Sequence, residues 1–333
     1  MKNTCLIILI FILQISFYGS QGEIIQGLNN PTNMIVDSKR IYISDFPKVK
    51  IFDRNTLSVI KEFGKKGEGP QEFLAYVFFE LSGEKLIVDS QGKHSYFTRD
   101  GKYLNERKFT TGGRYKILGK HFASYGILQE GKISYQSVDI YDSSFKKIKM
   151  LYKFPYFYQG QGPLKGIHIL DYYRTIALTS GGRLVLRKMD DFEFSIYNEK
   201  GIKLTSFRRE YKKIKFSEKD KGKYYNFFKF NPDFRPYYES QKHLIKFYSH
   251  YPAVRDYFLC NDLIYIFTYL KESGKTEFFI YDLKGRFIKR IFANLNFISI
   301  MDIGPTWVED DKLFQLVENE DEEEWELRTS DFR

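Results

Sequence analysis

The sequence predicts an all-β protein: a six-bladed β-propeller with a partly helical insertion between its fourth and fifth blades. Aromatic residues make up 18% of the 333 residues, and flat rings pack well on pleated sheets. A strand-and-turn pattern also recurs about every 45 residues, which is typical of propeller blades. Since 43% of the residues are hydrophobic and 28% are charged, a disordered chain and a multi-span membrane protein are excluded.

The recurring pattern is an Ile-Tyr-Asp-like segment that follows one strand and precedes a turn. Its aromatic members lie at positions 52, 97, 141, 197 and 281, so the gaps are 45, 44, 56 and 84 residues. A weaker sixth copy spans Trp325–Arg328. A single blade cannot bury both faces, so neighbouring copies must stack into one core. We expect a strand directly before each copy, at Ile41–Ile43, Leu86–Val88, Ile133–Tyr135, Leu184–Leu186, Leu263–Ile266 and Leu313–Phe314.

The longest gap, between positions 197 and 281, predicts the insertion. Residues 211–252 break the strand pattern, because Ser217 with Asp220 resembles a helix-capping box and prolines follow at positions 232, 236 and 252. The same gap leaves a seventh blade open as an alternative. The last unit ends soon after its third strand, so Glu23–Gln26 is expected to supply the fourth strand and close the ring.

Residues 1–22 have the layout of a secretory signal peptide, with Lys2, an apolar run at Leu6–Leu13 and a small-residue site at Ser20–Gly22. The run is much shorter than the about 20 residues that a membrane-spanning helix needs. Cleavage after Gly22 would leave the 311 residues 23–333, with a net charge of +9. We therefore expect an exported protein, periplasmic or secreted, that does not span the membrane after cleavage. Its remaining cysteine, Cys260, is expected to be a buried small hydrophobe.

A glycine-rich segment adds a family resemblance. Phe63–Phe73 reads Phe-Gly-Lys-Lys-Gly-Glu-Gly-Pro-Gln-Glu-Phe, and Gly-Gln-Gly-Pro returns at Gly160–Pro163. With the Ile-Tyr-Asp strands, this segment resembles secreted bacterial six-bladed β-propellers of the NHL-repeat group, over essentially the whole mature chain. The resemblance implies a loop that links one blade's outer strand to the next blade's inner strand, and it implies no particular activity. We expect the glycines to permit positive φ there, since the P-loop and dinucleotide-loop patterns are both absent.

Four side chains are candidate metal ligands: His94, His168, Asp45 and Asp89. His94 and His168 fall in different units, and residues from separate blades can converge on a propeller's central channel. Asp45 and Asp89 follow equivalent strands. The favoured interpretation is still structural, with satisfied or exposed histidines and turn-capping aspartates. No cofactor is predicted, and a calcium ion or a transition metal in the channel stays open as an alternative.

Basic charge is concentrated where the insertion begins. Between Phe207 and Lys229, nine Lys/Arg and three acidic residues give a net charge of +6, with aromatic residues interleaved. The favoured interpretation is a solvated insertion whose aromatic residues pack on the propeller. The alternative is a binding surface, and because an exported protein rarely meets nucleic acid, its partner would be an anionic glycan, lipid headgroups or an acidic protein. The candidate binding residues are Arg208, Arg209, Lys212, Lys213, Tyr224 and Tyr225.

Two function hypotheses follow from these features. The first is an exported, non-catalytic and monomeric binding module for an envelope protein, a peptide or a glycan. The second is a metal-dependent propeller enzyme of the lactonase, lyase or sugar-dehydrogenase type, with its site in the central channel. The first is favoured, because no cluster of His, Asp and Glu residues is evident in the sequence.

Overall fold

The protein is a six-bladed β-propeller. The computed structural model describes residues 22–74, 77–90, 92–109, 114–131, 133–155, 177–188, 191–232, 234–297, 302–319 and 324–332. These residues form six four-stranded antiparallel sheets, each of which is one blade. The predicted fold class is confirmed. Residues 1–21, Gly160–Pro163 and His168 lie outside the described residues.

The first three blades follow one another along the chain. Blade 1 contains β2 (Pro31–Val36), β3 (Arg40–Asp45), β4 (Lys48–Asp53) and β5 (Val59–Phe63). A short connection holds β6 (Lys65–Lys66) and β7 (Glu72–Phe73). Blade 2 contains β8 (Phe78–Ser82), β9 (Lys85–Ser90), β10 (Lys93–Thr98) and β11 (Tyr103–Lys108). Blade 3 contains β12 (Arg114–Leu118), β13 (His121–Glu130), β14 (Ile133–Tyr141) and β15 (Lys147–Pro155).

The other three blades complete the ring. Blade 4 contains β16 (Ala177–Ser180), β17 (Arg183–Arg187), β18 (Glu193–Asn198) and β19 (Lys203–Arg208). Blade 5 contains β20 (Asp256–Cys260), β21 (Leu263–Glu272), β22 (Lys275–Asp282) and β23 (Phe287–Ala293). Blade 6 contains β24 (Thr306–Glu309), β25 (Lys312–Asn319), β26 (Glu324–Asp331) and, from the start of the chain, β1 (Glu23–Ile25).

The first strand of each blade is the innermost one. Strands β2, β8, β12, β16, β20 and β24 each contact the corresponding strand of the next blade, and β24 contacts β2. These contacts make a closed circle of six strands around the axis. The long gap in the sequence repeat therefore holds the insertion, and the seventh blade that it had left open is not formed.

Strand β1 closes the ring as predicted. It pairs antiparallel with β26, with Glu23 opposite Leu327 and Ile25 opposite Trp325. The side chain of Ile25 is 1% exposed and joins the apolar cluster between blades 6 and 1. The two ends of the chain are thus held in one sheet, which leaves β26 with a partner on each side.

The repeated Ile-Tyr-Asp-like segments form the third strand of their blades, and the expected preceding strand is the second strand in five of the six units. Blade 3 is the exception, and the prediction there was wrong. Ile133–Tyr135 and the segment at Ile140–Tyr141 belong to one strand, β14. The second strand is β13, because this hairpin is longer, with strands of ten and nine residues.

Apolar clusters hold adjacent blades together at five of the six junctions within the described parts of the chain. The junction of blades 2 and 3 differs, because aromatic rings pack there around a buried histidine. His94 has its ring centroid 4.5 Å from that of Phe109, and Phe122 stacks on Phe145 at 4.5 Å.

The glycine-rich segment is the loop that connects the outer strand of blade 1 to the inner strand of blade 2. Gly64 has φ of +100° and Gly67 has φ of +150°, which confirms the expected backbone freedom. A Cβ atom on Gly64 would lie 2.6 Å from the Phe73 ring. Glu72 accepts a hydrogen bond of 2.8 Å from the amide of Gly69 and pairs with Lys65 at 2.9 Å.

The insertion, residues 211–252, contains α1 (Glu218–Phe230), α2 (Arg235–Gln241) and a 3-10 turn at Lys242–Leu244. The predicted capping box is present: Ser217 Oγ accepts from the amide of Asp220, and the Asp220 carboxylate accepts from the amide of Ser217. The insertion has its own aromatic core, formed by Phe216, Tyr224, Phe228, Phe227, Phe234, Tyr238, Ile245, Phe247 and Tyr251.

A chain that begins at Gly27 would lack β1 and tests the closure. Because β26 would gain a free edge and the blade 6–blade 1 cluster would lose Ile25, we expect the melting temperature to fall by about 5 °C or more. Association through the free edge should also rise with protein concentration. Thermal unfolding and size-exclusion chromatography measure both effects. The control is the chain 23–333 with Ile24→Ser, an exposed position on the same strand; equal melting temperatures for all three chains would contradict the closure argument.

Candidate functional site

The predicted basic and aromatic patch is divided between two environments. Tyr224 is 3% exposed and lies in the aromatic core of the insertion, and Tyr225 packs edge-on against Phe247 with centroids 5.3 Å apart. These two rings therefore stabilise the insertion from within. Arg208, Lys212 and Lys213 are exposed, and Lys213 lies 3.9 Å from Asp191.

Arg209 connects the start of the insertion to blade 5. Its Nε donates a hydrogen bond of 2.6 Å to the Tyr281 hydroxyl, and its guanidinium lies 4.7 Å from the ring centre of Phe279. Next to it, the Tyr211 hydroxyl donates to Glu277 at 2.8 Å. Glu277 is 1% exposed and also accepts from Arg290 at 2.7 Å, so this end of the insertion is fixed to the ring.

Helix α1 presents one face to solvent, formed by Lys219, Lys223, Asn226 and Phe230. Positions 219, 223, 226 and 230 follow the i, i+4, i+7, i+11 spacing of one helix face, and all four residues are exposed. The acidic residues of the helix are already used, since Glu218 pairs with Lys221 and Asp220 pairs with Lys223. Six cations of the insertion form no salt bridge with any described residue: Lys212, Lys215, Lys219, Lys229, Arg235 and Lys246.

The turn between α1 and α2 carries exposed rings beside these cations. We name the exposed residues of this turn the helical corner: Lys229, Phe230, Pro232, Arg235, Pro236 and Tyr237. Phe230 is 68% exposed and Tyr237 is 58% exposed. Large aromatic side chains that face water on an ordered element are typical of interaction surfaces.

Asp45 is occupied by structural contacts. Its carboxylate accepts from the amides of Asn29 at 3.1 Å and Asn30 at 2.7 Å, and it pairs with Lys50 at 2.7 Å. Both Asp45 and Lys50 are buried, so the cation balances the carboxylate inside the protein. The carboxylate fixes the loop that leads into β2.

Asp89 and His94 come together in blade 2. They are opposite each other across β9 and β10, and His94 Nε2 lies 3.9 Å from Asp89 Oδ1. Asp89 is 7% exposed and His94 is 0% exposed, and Asp89 Oδ2 has no hydrogen-bond partner among the described residues. Asp45 lies in another blade. His168, the fourth candidate, is outside the described part of the chain.

Three further charged residues lie at this junction and were missed by the sequence analysis. Glu80, from β8, accepts hydrogen bonds of 3.1 and 3.0 Å from the amide of Ile117 in blade 3. Arg114 lies over the Phe78 ring at 3.8 Å, and Phe78 is opposite Asp89 across the sheet. Lys116 interacts electrostatically with the acidic groups and the histidine. We name this set the junction cluster: Glu80, Asp89, His94, Arg114 and Lys116.

Burial shifts the pKa values of Glu80, Asp89 and His94 in the directions that favour their neutral forms. Desolvation raises the pKa of Glu80 to about 7 and the pKa of Asp89 to about 6, although Lys116 acts in the opposite direction on both. Desolvation, with help from Lys116, lowers the pKa of His94 to about 4. At neutral pH the histidine is therefore uncharged, and Glu80 keeps its proton to a higher pH than an exposed glutamate does.

Two carboxyl groups that titrate near neutrality can exchange protons with a bound molecule, and the two cations can attract an anionic group. The arrangement suits a divalent metal less well, because Arg114 and Lys116 repel it. Within the described residues no group of three or more His, Cys, Asp and Glu side chains is arranged to hold a metal ion. One sequence signal could have indicated Glu80, which is a lone acid within the otherwise apolar stretch Phe78–Leu81.

The comparisons with known proteins find similarity at the level of structures. No protein-family model matches the sequence, and no curated protein matches it. A "Putative exported protein" of Bacteroides fragilis is 13% identical, with a TM-score of 0.48, and the match covers 93% of this chain and 92% of that one. A member of the DUF4221 family from Bacteroides vulgatus is also 13% identical, with a TM-score of 0.48 and coverage of 91% and 93%.

The β-propeller domain of the Trilobed protease from Pyrococcus furiosus is 14% identical, with a TM-score of 0.42, and the match covers 91% of this chain and 82% of that one. Identities this low carry no information on activity. Among the described residues, no helix has both the length and the apolar character that crossing a membrane requires.

Glu80→Gln tests the electrostatics of the junction cluster. The folded protein keeps a proton on Glu80 that the unfolded chain loses above its usual pKa of 4.5, so the contribution of Glu80 to stability falls as pH rises from about 4.5 to about 7. Glutamine cannot titrate. We therefore expect the variant to gain stability relative to the wild type over this range, on the order of 1 kcal/mol, in urea unfolding at a series of pH values.

His94→Gln is the control with the opposite sign. The folded pKa of His94 lies below its usual value of 6.5, so its contribution to stability rises from pH about 4 to about 6.5. This variant should lose stability relative to the wild type over that range. A Glu80→Gln difference that stays constant with pH would contradict the proposed burial of the carboxyl group.

Proposed function

We propose that the protein is an exported, non-catalytic β-propeller of the NHL-repeat-like type that binds an anionic protein, peptide or glycan through its insertion. The observation that carries the proposal is the insertion itself: a separately packed element on the ring that exposes aromatic rings and cations with no salt bridge to a described residue. The signal-peptide pattern of residues 1–22 supports export, to the periplasm or the medium.

The ring does not depend on the insertion for its blades. Phe216 donates its amide to Ser249 at 2.9 Å, Tyr251 donates to Ile214 at 2.8 Å, and Lys215 pairs antiparallel with His250. The insertion therefore leaves and rejoins the ring through one narrow pair of segments. An element attached in this way can carry a binding surface without disturbing the six sheets.

The charge of the insertion supports an anionic ligand. The insertion contains ten Lys and Arg residues against four Asp and Glu residues, a net charge of +6 in a chain whose total is +10. Three of the four acidic side chains pair with lysines of the insertion itself. The remaining cations are available to an anionic partner, and the attraction should weaken as salt is added.

Replacing residues 216–249 with Asn-Gly tests this proposal. Asn-Gly suits a two-residue hairpin between the paired residues Lys215 and His250, so the ring should fold with its melting temperature nearly unchanged. The probes are polyglutamate for an acidic peptide and alginate for an anionic glycan, measured by titration calorimetry at low and high salt. We expect the wild type to bind at least one probe and the replacement to bind at least about tenfold more weakly.

A charge variant provides the matched comparison. Lys219→Glu, Lys229→Glu and Lys246→Glu together should reduce binding as strongly as the replacement. The control variant carries Lys61→Glu, Lys108→Glu and Lys203→Glu, three exposed lysines on the outer strands of blades 1, 2 and 4. Equal losses in the two triple variants, or no binding by the wild type, would refute the role of the insertion.

Metal content separates this proposal from the metal-dependent enzyme. Elemental mass spectrometry of residues 23–333 after mild dialysis should find no stoichiometric metal, because Asp45 is balanced by Lys50 and cations surround Asp89 and His94. About one calcium or transition metal ion per chain, lost in Asp89→Asn, would instead favour the enzyme with its site at the junction cluster.

A further inference from the structure

The helical corner combines exposed rings with a rigid support. Behind it, the Phe227 and Phe228 rings lie 5.3 Å apart, and Phe234 packs at 4.9 Å from Phe228. Pro232 and Pro236 restrict the backbone of the turn. Phe230 and Tyr237 are therefore held in water by a packed scaffold that cannot easily turn them inward.

Cations accompany these rings along α1 and the turn, and the ammonium of Lys229 lies 5.3 Å from the centre of the Phe230 ring. Lys219 and Phe230 share the exposed face of α1, Lys229 is the neighbour of Phe230, and Arg235 lies two residues before Tyr237. None of these three cations forms a salt bridge with a described residue. Exposed aromatic rings beside cations that have no ion pair among the described residues have the composition of a segment that binds at a membrane surface.

We propose that the helical corner docks the protein on an anionic lipid bilayer. In this arrangement the Phe230 and Tyr237 rings enter the boundary between headgroups and acyl chains, and Lys219, Lys229 and Arg235 meet lipid phosphates. The inference goes beyond the proposed function: it uses the same insertion as the interaction surface but adds a lipid partner. Each signal alone binds weakly, and the two together give stable but reversible attachment.

The shape of the corner favours a bilayer over a folded protein. Phe230 is the last residue of α1 and Tyr237 is the third residue of α2, so the two exposed rings flank the turn between the helices. A protein partner would need a pocket matched to both rings. A bilayer accepts a projecting ring at any lateral position, and its phosphates can rearrange to meet the cations.

The test uses residues 23–333, which contain all six blades and omit the apolar run Leu6–Leu13. Flotation with vesicles of phosphatidylcholine containing about 30% phosphatidylglycerol is compared with flotation with phosphatidylcholine alone. We expect binding to the anionic vesicles at least about tenfold tighter than to the neutral ones, and weaker binding as salt rises. Absence of binding to the anionic vesicles would overturn the inference.

Phe230→Ser with Tyr237→Ser removes the rings and keeps every charge. Transfer of one large ring from water is worth about tenfold or more in affinity, so we expect vesicle binding to fall at least about tenfold. The control is Val59→Ser with Ile202→Ser, because both side chains are 55% exposed, Val59 on the outer strand β5 and Ile202 directly before the outer strand β19. Wild-type vesicle binding by the corner variant, or an equal loss in the control, would overturn the inference.

Phe230→Trp reports directly on insertion into the bilayer. The indole should shift its emission to shorter wavelength on anionic vesicles and be quenched by brominated acyl chains. Unchanged emission on vesicles that bind the protein would overturn the role of this ring.

Comparing vesicles with the two polyanions separates the two proposals. If polyglutamate or alginate binds through the lysines while vesicles do not, the lipid inference fails and the proposed function stands. If neither the vesicles nor the two polyanions bind, both fail.

Discussion

The pairing of β1 with β26 is the constraint on which the rest of the structure depends. A propeller blade is apolar on both faces, so each blade needs a neighbour on each side. Blades 1 and 6 are distant in sequence, and Glu23–Ile25 ties them together as the outer strand of blade 6, in addition to the contact of β24 with β2. The cluster at that junction joins Ile25 and Met34 to Phe314 and Leu327. Without closure, these two faces would be open to water.

A second constraint is the hydrogen bonding of the loops between blades. Their backbone groups lie close to buried strands, where an unsatisfied carbonyl is costly. Buried polar side chains meet this need at four places. Lys50 donates to the carbonyl of Gly27, Lys93 to those of Gly69 and Glu72, Arg187 to that of Arg255, and Gln315 to those of Asn296 and Ile303. In the sequence these four residues resemble ordinary polar surface residues. In the structure they hold the loops that lead from one blade to the next.

Together these constraints explain how the protein can carry an exposed and strongly basic element. The ring is stabilised by closure, junction clusters and tied loops, so the insertion needs only a narrow connection between blades 4 and 5. Its aromatic residues then divide into two sets. Phe216, Tyr224 and Phe228 are buried and hold the insertion together, whereas Phe230 and Tyr237 face water. The junction cluster is a second exception to the apolar interior. Burial raises the pKa values of Glu80 and Asp89, and the nearby Lys116 offsets this rise only in part.

The sequence by itself determined the blades, the place of the insertion and the strand that closes the ring. These features depend on hydrophobic alternation, turn residues and helix caps, all of which act over a few neighbouring residues. It misplaced one strand, Ile133–Tyr135, because hairpin length in blade 3 departs from the repeat. Only the tertiary structure decided that Tyr224 is buried, that Lys50 neutralises Asp45, and that Glu80 and Lys116 join Asp89 and His94. The physical reason is that these outcomes depend on which blade faces meet, and the energy of a charge depends on neighbours far away in sequence.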